Sequence, residues 1–322
     1  MSEKDKKPSA WKRLRYRMEA GALAVFAAAI PRLSHGLLLR LGNLLGTCAY
    51  LLLRHDRAVA YSNLNIAFGD SMPLARKRRI VRNTFRHFAR AVLSMFWAKG
   101  KSQEQILKMY DVENLDLLRR IQERGKGVIV ASMHFGDWEL GSLAFGWLGA
   151  PMTIVAEPTR NPAIERRVTA LRTLSGHRAV APRFALIRMA RTLQQGGIVG
   201  MLVDVNGRRN RGGVWLDFFG LPVFNGAAEA VMALRWGAPI VFIHMERLPG
   251  GRGKMVIGPE VCCKSTGDFD ADVKEISQRC LTLCEELIKQ HPEQWLWTYK
   301  RWKRRPTEDM GRYPFYSRHA RV

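Results

Sequence analysis

Val128-Ile-Val-Ala-Ser-Met-His134-Phe-Gly-Asp-Trp-Glu139 is the stretch whose reading decides the fold. Val128 to Met133 is a short apolar run opened by Gly125 and Gly127, the pattern of a strand buried on both faces of a parallel sheet. Phe135-Gly136-Asp137 breaks the run. Glu139 to Leu148 then reads as a helix, with Asp137 suited to the N-cap and Glu139 in the first turn, where the helix dipole favours a carboxylate. His134 is therefore expected at the carboxyl end of a strand, the layer in which α/β sheets carry their sites.

His134 and Glu139 are five residues apart, which on one continuous helix would point them in different directions. Across a strand–turn–helix junction they can meet. A carboxylate touching an imidazole fixes its tautomer and makes the other nitrogen a better base. Such a pair can take the proton from a hydroxyl that then attacks an activated acyl group. A helix cap beside an incidental histidine is the plainer reading of the same residues.

Outward from this core the charge is unusual: 52 Lys and Arg against 28 Asp and Glu give +24 over 322 residues, with a pI near 10.5. Such a surface seeks anions: nucleic acid, anionic lipid, coenzyme A phosphates or an acidic carrier protein. The five cysteines form no Cys-x-x-Cys set and no secreted framework, so reduced thiols are expected. Cys262-Cys263 shows no neighbouring base in sequence, and no Gly-Lys-Ser/Thr supports a nucleotide loop.

Toward the N-terminus, Met1 to Arg17 is polar and basic without a cleavage site, and Gly21 to Ile30 is apolar but too short to span a bilayer. Gly36 to Arg54 reads as an amphipathic helix. Leu37, Leu38, Leu41, Leu44, Leu45, Cys48 and Leu52 form one face, and Arg40, Asn43, Thr47 and Arg54 mark the other. The apolar face either docks on the core or lies in a membrane interface. Leu74 to Trp97 is the next helix, with Arg79, Arg82, Arg86 and Arg90 in a stripe and no acid between Ser71 and Gln103. The stripe is a solvated face or, as the missing acids favour, a contact for phosphate, lipid headgroups or a carrier protein.

Toward the C-terminus, Met152 to Ala156, Val180-Ala181 and Ile198 to Val203 read as further strands, and Asp204 falls in the same strand-end layer as His134. Arg172 closes a helix from Ala163 to Leu174, where a cation complements the dipole or binds an acidic group. Asn206 to Gly213 is a basic, Gly-rich turn in which Arg208, Arg209 and Arg211 could clamp a phosphate. Ala238 to Met245 and Lys254 to Ile257 read as a hairpin, and Phe269 to Gln290 as a long helix.

Several of these strings also carry a resemblance. His134-x4-Glu139 looks like the His-x4-Asp/Glu motif of glycerolipid-type acyltransferases. The longer His-Phe-Gly-Asp-Trp-Glu is similar to the branch holding the bacterial lipid A late acyltransferases and the actinobacterial phosphatidylinositol-mannoside acyltransferases. Ala60-Tyr61-Ser62-Asn63-Leu64, the Asn161-Pro162 pair with Arg172, the Val214–Gly220 hairpin and Glu293–Pro306 resemble that branch in the same order, from about Ala58 to Pro306. Tyr299 departs from it, standing where many members have His.

The resemblance implies an O-acyltransferase with a mixed, mainly parallel sheet flanked by helices. His134 would be the general base and Glu139 its orienting group. Arg172, Asp204, Arg208, Arg209, Arg211 and Asn225 would bind substrate, and Arg79, Arg82, Arg86 and Arg90 a carrier or lipid surface. Donor and acceptor would be an acyl-carrier-protein thioester and a lipid A precursor, at the cytoplasmic face of a bacterial inner membrane. Acyl-coenzyme A with a mannosylated phosphoinositide or a lysophospholipid is the alternative. No metal or other cofactor is required. Nucleic acid is not expected as a partner, because the Trp295–Pro306 cluster carries no accompanying motif. A basic, membrane-associating segment over 1–54, a catalytic domain over 55–306 and a basic tail over 307–322 are the expected divisions.

Overall fold

The computed structural model describes residues 10–156, 159, 161–208, 212–306 and 310–320. Four helices come first: α1 (Ala10–Ala29), α2 (His35–Leu52), α3 (Arg54–Phe68) and α4 (Leu74–Ala98). Alternating elements follow: α5 (Gln103–Leu107), β1 (Tyr110–Glu113), α6 (Leu115–Gln122), β2 (Val128–Ser132), α7 (Trp138–Trp147), β3 (Met152–Val155), α8 (Pro162–Arg172), β4 (Arg178–Val180), α9 (Ala185–Gln194) and β5 (Ile198–Leu202). The hairpin β6 (Val214–Phe218)–β7 (Leu221–Asn225), α10 (Ala228–Trp236), β8 (Ile240–Arg247), β9 (Gly253–Val261) and α11 (Phe269–Gln290) lead to a C-terminal strap with β10 (Arg304–Arg305) and β11 (Arg318–His319).

The main sheet has seven strands in the order β1-β9-β8-β2-β5-β3-β4. Every neighbouring pair is parallel except β8 and β9, the expected hairpin. The mixed, mainly parallel α/β sheet read from the sequence is therefore the one observed. Alternation along the central strands divides the core. Ile129, Ala131 and Val199 face one apolar cluster with α10 and α11, and Val128, Val130 and Ile198 face another with α7. α4 contributes to both clusters, Phe85 to the first and Leu93 and Phe96 to the second.

The β2–β5 register positions the site. Ser132 pairs with Leu202, and the Val203 amide donates to the Ser132 carbonyl at 2.8 Å. His134 and Asp204 both lie two residues beyond their strands, so the register itself makes them neighbours.

The helix α2 packs on α4 through its small, polar side, while Leu38 is wholly buried in the second cluster and Leu41 packs against it. A Cβ on Gly42 would lie 2.6 Å from Arg90 Cγ, and one on Gly46 would lie 2.7 Å from the Phe85 carbonyl oxygen. Thr47 accepts from Arg86 Nε at 2.9 Å, and Asn43 accepts from Arg90. The stripe on α4 is thus divided: Arg79 and Arg82 are exposed, whereas Arg86 and Arg90 hold α2. Leu44 (61% exposed) and Leu52 (77% exposed) consequently face outward with Leu37, Leu45 and Leu51. No single helix among the described residues is long and apolar enough to cross a membrane; α2 with the following helical segment to Ser71 passes only as a pair bent by 91°.

Gly46→Val should force α2 away from α4, at a cost of about 1–3 kcal/mol or more for overpacking. Thermal unfolding in detergent should show a clearly lowered Tm. Gly21→Ala, where an added Cβ meets nothing within 4 Å, should leave it unchanged or slightly raised.

Candidate active site

The turn after β2 carries His134 into a cavity of about 1350 Å³ at the C-terminal edge of the sheet. Gly136 makes the turn possible. Its φ is +59°, and a Cβ there would collide with the Met245 carbonyl of β8. Its amide donates to the Gln294 carbonyl at 3.0 Å, tying the turn to the C-terminal strap.

The carboxylate that holds the imidazole belongs to Asp204. His134 Nδ1 lies 3.0 Å from Asp204 Oδ1, and the His134 amide donates to Oδ2 at 3.1 Å. Trp295 Nε1 donates to the same Oδ2 at 2.9 Å. The Asp204 side chain is 2% exposed, and that of His134 is 22% exposed on the cavity side. Burial by itself would lower the His134 pKa, but the Asp204 charge and hydrogen bond outweigh it, so the pKa is raised above the ordinary histidine value. For Asp204, burial pushes the pKa upward. The His134 charge and the three donated bonds prevail, and the carboxyl sits below its ordinary range. An ionised Asp204 selects the tautomer with Nδ1–H, which leaves Nε2 as the free base.

Asp204, expected to bind substrate, is thus engaged with His134, and the expected His134–Glu139 hydrogen bond is not formed. Glu139 instead takes a two-pronged ion pair from Arg172, with Nη2–Oε1 at 2.6 Å and Nε–Oε2 at 3.2 Å. The physical reason is the strand register, which delivers Asp204 to Nδ1, while the first turn of α7 aims Glu139 across the cavity toward the end of α8. Glu139 still acts on His134 at longer range, as a charge that favours the imidazolium.

Other expected site residues divide the same way. Arg172 and Arg208 line the cavity. Asn225 does not reach it: fully buried, it donates from Nδ2 to the Val203 carbonyl at 3.2 Å and the Gly226 carbonyl at 2.7 Å and accepts from Arg301. It therefore builds the loop instead of meeting a substrate. Arg209 and Arg211 lie outside the described residues. None of the five cysteines lines the cavity, and burial pushes the Cys263 thiol up to about 11, away from nucleophilic thiolate chemistry.

Two aromatic groups complete the site. Tyr299 stacks on His134 with ring centroids 6.5 Å apart and planes inclined by 21°, and its hydroxyl accepts from the Asn206 amide at 2.9 Å. Trp138 meets the imidazole edge-on at 5.4 Å. The departure from the expected His at 299 marked an important position without revealing its role, and nothing in the spacing linked Trp295 to Asp204. The wall beyond, Val130, Leu143, Phe145, Met152, Ile154 and Ile243, is apolar. The site therefore offers an oriented imidazole base beside a groove suited to hydrocarbon.

The family model for the bacterial lipid A biosynthesis acyltransferase matches residues 7–304. The chain belongs to that family. It is 28% identical to the lipid A biosynthesis palmitoleoyltransferase of Escherichia coli K12 over 284 residues, 88% of this chain and 90% of the relative. To the lauroyltransferase of the same organism it is 24% identical over 286 residues, 88% and 91% of the two chains. The phosphatidylinositol mannoside acyltransferase of Mycolicibacterium smegmatis is 24% identical over 229 residues, 69% of this chain and 72% of that protein. The chain is an O-acyltransferase acting on lipid.

Two predictions follow from the divided carboxylates. Asp204→Asn removes the charge that raises the His134 pKa. If His134 acts as a general base it must be neutral, so wild-type kcat/KM should fall as pH drops through this raised pKa, and in the variant that acid limb should move to lower pH while the rate falls strongly. A pH–rate profile reads both. Glu139→Gln and Arg172→Gln break the same ion pair, so their combination should cost little more than the worse single change. A double-mutant cycle on kcat/KM measures that coupling.

Proposed function

We propose that the protein transfers a fatty acyl chain from an acyl-carrier-protein thioester to a hydroxyl of a lipid A precursor at the cytoplasmic face of a bacterial inner membrane. The observation that carries the mechanism is the oriented histidine: His134 lines the cavity, its Nδ1 is engaged by buried Asp204, and Nε2 remains for the acceptor. In the proposed step Nε2 takes the hydroxyl proton as the oxygen bonds to the thioester carbonyl carbon. The tetrahedral intermediate then expels the thiolate, which leaves as thiol with the proton from the imidazolium. No acyl-enzyme forms, and no metal is needed. The acyl chain occupies the apolar groove beneath α7. There Gly200 keeps the wall open, since a Cβ would lie 2.8 Å from Met152 Sδ.

Lipid A precursor is preferred as acceptor because the two Escherichia coli relatives, each matched over 88% of this chain, are named for lipid A biosynthesis. The mannosylated phosphoinositide remains the second reading, from the relative matched over 69%. Membrane association is supported by the outward leucines of α2 and the +24 charge, which suit an anionic bilayer. Exposed Arg79 and Arg82 are proposed to meet the carrier or the headgroups; Arg86 and Arg90 are occupied within the fold.

Labelled acyl-carrier donor offered with a panel of lipid acceptors tests the reading. His134→Ala should lower turnover by about 10²–10⁴-fold or more with near-unchanged circular dichroism, as loss of a general base requires. A folded His134→Ala enzyme of normal rate would overturn the mechanism, and labelling of a phosphoinositide mannoside alone would move the acceptor to the second reading.

A further inference from the structure

The mouth of the cavity carries cations that the proposed proton transfer does not use. Lys300, Lys303 and Arg304 line the same cavity as His134, on the strap that follows Tyr299. Between them Arg301 and Trp302 point inward and are wholly buried, which fixes the strap. Arg301 donates to Asn206 Oδ1 at 3.4 Å and to Asn225 Oδ1, and Asn206 Nδ2 donates to the Lys300 carbonyl at 2.9 Å. The three cations are thus presented by an anchored segment. Arg208, on the loop facing it, lines the same opening.

Among the described residues none of Lys300, Lys303 and Arg304 enters an ion pair. Among the described residues the carboxylates lining the cavity are Glu139, committed to Arg172, and Glu229, buried in the first turn of α10. Arg304 stacks its guanidinium over Phe224 at 5.1 Å, which fixes the plane, yet its Nη1 is buried without a hydrogen-bond partner. A buried guanidinium donor left open costs free energy unless something accepts from it. A flat fork and two ammonium groups lining one cavity match a tetrahedral oxyanion of high charge.

The geometry points to a phosphate-ester subsite formed by Lys300, Lys303 and Arg304 at the mouth of the catalytic cavity. The assignment rests on the acyl-transfer reading for its purpose, since a phosphate held there would register the substrate so that its reacting group lies against His134. Two substrates can present that chemistry: a phosphorylated sugar of the acceptor, or the phosphodiester of the donor's phosphopantetheine arm.

Dodecyl phosphate, titrated in mixed micelles against dodecanol, reads the subsite without turnover. Wild type should bind the phosphate amphiphile at least about tenfold more tightly than the alcohol. Lys300→Ala/Lys303→Ala should remove most of that preference, as should Arg304→Gln, while Lys126→Ala on a remote exposed surface should keep it. The lysine pair keeps the test decisive if Arg304→Gln fails to fold. Kinetics then separate the sources. If the acceptor supplies the phosphate, the lysine variant should lose about tenfold or more in kcat/KM on phosphorylated acceptor and little on the dephosphorylated one. If the donor supplies it, the loss should follow acyl-phosphopantetheine and spare acyl-pantetheine. Unchanged dodecyl phosphate preference in the folded lysine variant would overturn the subsite, as would equal losses on every substrate. A preference lost in the variants, with no acyl transfer by wild type to any lipid, would keep the subsite and refute the transfer reading.

Discussion

A buried carboxylate is the constraint on which the rest depends. Asp204 is almost wholly removed from water, and a carboxylate there costs several kcal/mol unless its oxygens are supplied with donors. Its donors come from two places: the His134 amide and ring at the end of β2, and the Trp295 indole on the C-terminal strap. Asp204 itself stands past the end of β5, so the His134–Asp204 hydrogen bond exists only if β2 and β5 keep their register and the strap is closed over the sheet.

The strap is closed by groups remote in sequence. Asn63 on α3 donates to the carbonyls of Trp297 at 2.7 Å and Tyr299 at 2.8 Å, and Tyr316 donates to its Oδ1. Arg301 is buried behind the site with no carboxylate among the described residues bonded to it, and burial pulls its pKa down; the nearby Tyr299 and Asp204 oppose that shift. An N-terminal helix, the strand ends and the C-terminal segment thus share one buried polar network, and in such networks a partly satisfied state is costly. Packing of α2 on α4, where Arg86 and Arg90 meet Thr47 and Asn43, extends the same linkage toward the surface and leaves Leu37, Leu44, Leu45, Leu51 and Leu52 on the outside.

The parts legible in the sequence were those with a local cause. The Val128 strand, the Gly136 break and the α7 helix follow from apolar run length and backbone freedom, and α11 was read with its observed bounds, Phe269–Gln290. Sequence also put His134 and Asp204 in one layer. What it could not supply was lateral order: that β5 is the strand beside β2, with Leu202 opposite Ser132, is set by tertiary packing. Without that register, Glu139 was the nearer carboxylate in the chain and was expected at the imidazole, where the structure has Asp204. The α2 helix was left open between two dockings for a related reason. Periodicity separates its two faces but does not say which one is buried, and here Gly42 and Gly46 allow a close backbone approach to α4 while Leu38 is buried and Leu44 and Leu52 face outward.

The presence of two carboxylates around one imidazole fixes more than its basicity. A mobile charge at Nδ1 would let either ring nitrogen carry the proton; Asp204, held by two further donors, gives the ring one orientation and one tautomer. Glu139 cannot compete for that nitrogen while Arg172 holds both of its oxygens, and the ion pair as a whole is nearly neutral, so the field at His134 is set mainly by Asp204. With Tyr299 stacked on the ring and Trp138 against its edge, Nε2 is left the cavity as its direction of approach. In the proposed mechanism a hydroxyl would then reach His134 only from the side that also opens onto the apolar groove. The walls of the cavity would bring acceptor oxygen and acyl carbon together there, and the positioning that such confinement supplies is a larger factor than the basicity of a histidine alone.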